Sequence, residues 1–189
     1  MRYLYLAPDH DVDPTVLSAV AVTLSAAFRL PMSALAPTPT PMYAYDERRR
    51  QFGSSLILRV LSDRIPADAV RVLAITECDL FIPMLTFVFG QAQLSGPVAL
   101  VSLARLRQEH YGLPPDAFLL RERGCKECLH ELGHSFGLTH CGMPGCVMSL
   151  STTIEQVDRK TPKFCYECRA QLDSSLSRLH ATPRRGGAK

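Results

Sequence analysis

Apolar and polar positions alternate along the chain with two different periods. Residues 2–7, RYLYLA, form a short β run closed by Pro8. Over residues 14–29, Val16, Leu17, Val20, Leu24, Ala27 and Phe28 recur at helical spacing. Asp13 is placed to cap that helix, and Pro14 occupies its first position. A second strand is expected over 31–36, within an extended connection marked by Pro31, Pro37, Pro39 and Pro41. From Tyr45 and Asp46 to about Ser62 the pattern predicts a second helix. Its inner face is Phe52, Leu56, Val60 and Leu61, and Arg48, Arg49 and Arg50 lie on its solvated side.

Residues 70–81, VRVLAITECDLF, read as a buried central strand, with Cys78 as a small buried hydrophobe near its end. LTFVFGQAQL (85–94) alternates like a half-exposed strand, and GPVALVSLARL (96–106) follows a Ser95-Gly96 turn, which predicts a hairpin. Pro114 and Pro115 open a long helical stretch reaching Gly137, with Gly124 as a candidate interruption. Its back face is assigned to Phe118, Leu119, Leu129, Leu132 and Phe136. The chain is then loop-rich until a final helix from about Cys165 to His180. These elements predict an α/β (α+β) single domain over 1–180, a mixed twisted sheet covered by two helices with the long helix below. Residues 181–189 are a basic tail.

Composition changes this picture little. A chain of 189 residues can bury about 70% of its unfolded surface in one core. At 47% hydrophobic and 21% charged it is ordinary for a globular domain. A net charge of +3 is too small to argue for nucleic acid or an acidic membrane. No apolar run approaches the roughly 18 residues of a membrane span, and MRYLYLAPDHD lacks the pattern of a secretory leader. The expectation is a cytoplasmic monomer with neither nucleic-acid nor membrane partners. In that reducing setting seven cysteines favour metal ligation over disulfides.

The candidate chemistry lies in HELGHSFGLTH, His130 to His140. On a helix His130 and His134 project from one face, one turn apart, and can present two imidazole nitrogens to one ion. Gly137 ends the helix, since glycine enters the left-handed region without steric cost. The chain can then bend back to bring His140 as a third ligand. Three neutral imidazoles with an open fourth position describe a catalytic zinc site. Glu131 sits beside that open position, where it can take a proton from zinc-activated water. A bare His-Glu-x-x-His carries a real false-positive risk, which the added Gly137 and His140 reduce sharply.

HELGHSFGLTH matches the metzincin pattern, with Met148 standing where a Met-turn belongs. The histidine triad followed by Cys141, Cys146, Cys165 and Cys168 resembles the archaemetzincin family of zinc metallopeptidases. The resemblance is tight from His130 to Cys168 and looser over almost the whole chain. It implies a metzincin-like fold, a catalytic zinc on His130, His134 and His140, and Glu131 as general base. It also implies a second, structural zinc on Cys141, Cys146, Cys165 and Cys168, tying residues 140–180 to the part before them, 1–139. Two zinc ions per chain are thereby expected, with a peptide or protein as substrate. The family's edge strand above the zinc maps to 85–94, making Gly90 and Gln91 candidate substrate contacts.

The cysteines alone leave a choice. Cys165-x-x-Cys168 is a zinc half-site that Cys141 and Cys146 could complete, and Cys125-x-x-Cys128 is an alternative second half. Against the latter, Cys128 lies two residues before His130 and points away from the ligand face. A redox role for Cys125 and Cys128 lacks a thioredoxin-like context. His10, His110 and His180 lack metal spacing and read as surface residues. The functional alternative is a non-catalytic zinc protein whose four-cysteine knuckle is a structural or interaction module. An intact Glu131 beside all three histidines argues against it.

Overall fold

The computed structural model describes residues 2–181; the expected basic tail therefore lies, apart from Ala181, outside the described residues. Eight strands and five helices follow in chain order. The first are β1 (Tyr3–Pro8), α1 (Pro14–Phe28), β2 (Met32–Ala34), β3 (Tyr45–Asp46), β4 (Gln51–Gly53), α2 (Ser54–Ser62) and β5 (Ala69–Thr76). They continue with β6 (Leu80–Phe81), β7 (Gly90–Ala92), β8 (Val98–Ser102), α3 (Ala117–Ser135), α4 (Ile154–Arg159) and α5 (Tyr166–Ala181). Short 3-10 turns cover Met42–Ala44, Ala104–Leu106 and Gln108–Tyr111.

The main sheet has the order β2-β1-β5-β8-β7. Its first four strands are parallel, and β7 returns antiparallel along β8 to form one edge. Because β5 and β8 are buried on both faces, their side chains divide by alternation. Leu73, Ile75, Ala99 and Val101 face α1 and α3, where Val20, Leu24, Phe28, Leu129 and Leu132 meet them. Val72, Ala74, Val98 and Leu100 face α2, covered by Ile57, Leu58 and Leu61. The covering helix and the long helix therefore share one face, while α2 takes the other. This differs in detail from two helices above and one below.

Local chemistry explains where the elements start and stop. The Asp13 carboxylate accepts the Thr15 amide at 2.7 Å, Pro14 begins α1, and Arg29 ends it in the left-handed region at φ 54°. Asp116 caps α3 in the same way through Leu119. This helix runs unbroken through Gly124, where a methyl group would meet Leu103 and Val16 at ordinary contact distance.

Four expectations fail, each for a local reason. The stretch from Tyr45 does not begin a helix. Asp46 accepts the amides of Arg48 and Arg49, and Arg50 enters the left-handed region, so the chain closes a hairpin of β3 and β4 with the arginines in its turn. Phe52 packs on Tyr45 across that hairpin instead of lining a helix, and Leu56 is exposed. The 70–81 strand stops at Thr76, and Leu80–Phe81 pairs into a separate three-stranded sheet. Of 85–94 only Gly90–Ala92 is strand, and Phe118 points to solvent at 69% exposure. A short helix, α4, interrupts the loop after His140 and carries a Thr153/Gln156 capping box.

Candidate metal centres

The first centre is built where α3 ends. Gly137, at φ +94°, lets the chain turn out of the helix, donating its amide to His134 O at 2.9 Å. Leu138 N donates to Gly133 O at 3.0 Å, completing a Schellman termination. The same turn aims the second imidazole, because Leu138 O accepts from His134 Nδ1 at 2.7 Å. Val147 O accepts from His130 Nδ1 at 2.8 Å. With Nδ1–H donated to a carbonyl in each ring, Nε2 keeps a free lone pair pointing inward.

Those two Nε2 atoms stand 3.1 Å apart, and the donor atoms of His130, His134 and His140 all lie within 4.8 Å of one another. Two unprotonated imidazole nitrogens so close have no hydrogen to share. Zinc at about 2.0–2.1 Å from each nitrogen in a tetrahedron would hold them about 3.4 Å apart, so the spacing fits that ion. Burial holds the His130 imidazole well below its usual pKa, with the Lys160 cation adding to the effect. Burial lowers His134 and His140 as well. The donors are thus neutral near pH 7, the form a metal needs.

Beneath them lies Met148, fully buried. A methyl group on Gly133 would collide with its sulfur, so glycine is what lets the Met-turn nest against α3 between the two ligand turns. Glu131 is buried at the edge of β7. A Cβ on Gly90 would stand 2.6 Å from Glu131 Cγ and 2.7 Å from Leu100 O. Burial raises the Glu131 carboxyl well above the carboxylate range, the Glu127 charge raises it further, and Lys160 opposes both. The three histidines, Glu131 and Gly90–Ala92 line one cleft of about 510 Å³. Along β7 the side chains alternate. Position 90 faces α3, while the Gln91 amide oxygen is taken by Ser54 Oγ at 2.6 Å and Ser55 Oγ at 3.2 Å. Only the main chain of Gln91 remains for a substrate.

The second group joins the loop after His140 to the start of α5. The sulfurs of Cys141, Cys146, Cys165 and Cys168 lie within 4.8 Å of one another. Cys141 and Cys165 are 3.8 Å apart, too far for a disulfide. Zinc–sulfur bonds of about 2.3 Å in a tetrahedron give nearly that separation. Cys141 Sγ accepts the Met143 amide and Cys146 Sγ the Cys165 amide, contacts that favour thiolate. Amide donation from Cys168 lowers the Cys165 pKa, whereas burial raises Cys146 and Cys168.

Cys125 and Cys128 are not in this group. Cys128 is fully buried on the back of α3, and Cys125 accepts from Thr23 Oγ1 at 3.4 Å. His10 and His110 are exposed, and the His180 side chain lies outside the described residues. Sequence reasoning passed over Glu127, Lys160 and Ser151. A readable signal existed for Glu127, which precedes Glu131 by four residues and His130 by three and so shares the ligand face.

Comparison with known proteins adds to this geometry. The model of Peptidase family M54 matches residues 17–174. Archaemetzincin of Methanocaldococcus jannaschii is 48% identical over 132 residues, 70% of this chain and 72% of the relative. That of Archaeoglobus fulgidus is 35% identical over 169 residues, 89% of this chain and 98% of the relative. The crystal structure of archaemetzincin from Methanopyrus kandleri superposes with a TM-score of 0.82 at 36% identity, covering 93% of this chain and 96% of that one. The Archaeoglobus fulgidus structure, complexed with malonate, gives 0.78 at 34% identity, covering 89% and 99%.

Proposed function

Since this chain belongs to peptidase family M54, the archaemetzincins, and is a zinc metallopeptidase, we propose that Glu131 is its general base and that it holds two zinc ions. His130, His134 and His140 would hold the catalytic ion; Cys141, Cys146, Cys165 and Cys168 would hold a structural one. When bound, the catalytic zinc supplies a Lewis acid that polarises the scissile carbonyl and brings the pKa of water to about 7. Glu131 takes the proton from the attacking water and delivers it to the leaving amine. Its raised proton affinity suits a group that must hold that proton between the two events. The substrate backbone lies along the free edge of β7, where Gly90 leaves room for Glu131 and the main chain of residues 90–92 can pair with it.

The observation that carries this reading is the pair of facing Nε2 atoms, 3.1 Å apart, each fixed by a carbonyl on its far nitrogen. Membership of a metallopeptidase family sets aside the alternative of a non-catalytic zinc knuckle. No helix among the described residues is long and apolar enough to cross a membrane. The test is hydrolysis of a mixed peptide library by zinc-loaded protein, followed by mass spectrometry. Cleavage that stops on chelation and returns with zinc is the expected result; an unchanged library would contradict it.

A further inference from the structure

Two unusual polar features share one wall of the cleft. Glu127 lines it one turn ahead of Glu131, yet only 2% of the residue is exposed. Lys160, 4% exposed at the end of α4, donates to Glu127 Oε1 at 3.1 Å. Lys160 is not part of the cleft lining, so the carboxylate faces inward with the cation behind it. In the same cleft, Ser151 Oγ is buried and has no hydrogen-bond partner, the one such side-chain atom among the described residues. A buried ion pair is a poor device for stability, since an apolar pair commonly does as well. An unpartnered buried hydroxyl is a cost. A polar group on a bound molecule would give both a purpose.

We infer that Glu127, held by Lys160, and Ser151 form a side-chain subsite that selects a carboxamide, the side chain of glutamine or asparagine, beside the scissile bond. The inference rests on the peptidase reading above. A carboxamide carries an N–H that Glu127 can accept and a carbonyl that the Ser151 hydroxyl can reach. A substrate carboxylate would face Glu127 and Glu131 at close range. A lysine would bring a cation to a carboxylate already neutralised by Lys160. An aliphatic side chain would leave both polar groups unpaired, and sites built to hydrogen-bond a substrate reject the analogue that cannot do so.

The test uses zinc-loaded protein and peptides whose two residues flanking the cleaved bond are varied among Gln, Leu, Lys and Glu. Wild type should favour Gln over Leu at one of these positions by about tenfold or more in kcat/KM. Ser151→Ala should reduce that preference several-fold. The paired variant Glu127→Leu/Lys160→Leu removes both charges together, so neither is stranded; it should turn the preference towards Leu. Peptide dissociation constants on Glu131→Ala protein, where turnover does not intervene, should rank the same way. Melting curves establish which variants fold, and Ser151→Ala with the binding series carries the test if the paired variant does not. Equal cleavage of Gln and Leu peptides, or a folded paired variant that still prefers Gln, would overturn the subsite alone. No cleavage of any peptide by wild type would instead remove the peptidase reading beneath it.

Discussion

Zinc-loaded protein carrying Glu131→Ala is expected to lose peptide turnover by a factor of about 10² to 10⁴ while keeping its metal. The carboxylate is the acid–base group beside the three imidazoles, buried against Gly90 on the edge strand. It is not one of the grouped donors, so its loss removes proton transfer and leaves the histidines in place. Their orientation does not depend on it either, because Val147 O and Leu138 O hold the two rings. Turnover and elemental analysis on the same preparation separate the two effects. Wild-type activity in the variant would show that another group moves the proton; loss of zinc together with activity would show that Glu131 helps hold the ion.

The second large effect falls on folding. Cys165→Ser should give protein that melts far below wild type or fails to accumulate in soluble form, and strong chelation should do the same to the unmodified chain. Structural zinc contributes about 10–16 kcal/mol in zinc-finger peptides, comparable to the roughly 5–15 kcal/mol that stabilises a whole domain. Here the four sulfurs connect the loop at 141–146 to α5, and Cys146 and Cys168 belong to the main core. The same loop positions His140, next to Cys141, and supplies Val147 O to His130. The Cys141 amide donates to Met148 O at 2.9 Å, which ties that loop to the Met-turn. Losing the second site should therefore also weaken zinc at the first. Unfolding curves with and without chelator, read beside zinc content, measure both. An unchanged melting temperature in Cys165→Ser would mean that protein packing alone orders this loop.

Much of the site was legible because its signals are local. His130, Glu131 and His134 sit on one helix face by spacing alone, and Gly137 announces the turn that frees His140. The capping of α1 by Asp13 and Pro14 could be read for the same reason. The hairpin before α2 was missed because helical spacing at Phe52, Leu56, Val60 and Leu61 outweighed the turn chemistry of Asp46 and the left-handed Arg50. The choice among cysteines needed tertiary structure, since two C-x-x-C pairs compete on equal terms until Cys128 is seen buried behind α3. Glu127 and Lys160 are 33 residues apart, and nothing in either segment says that they meet. The demand for glycine at 90 and 133 was equally silent, because each is set by a partner from a distant segment, Glu131 and Met148.

The central claim is that one chain holds a catalytic ion on histidines and a structural ion on cysteines. Zinc per chain, measured by elemental analysis on wild type and on His134→Ala, tests it most directly. Two ions in wild type falling to one in the variant, with the fold retained, is the predicted result. One ion in both proteins would contradict the account, because the histidine cluster would then not be a zinc site of the native protein.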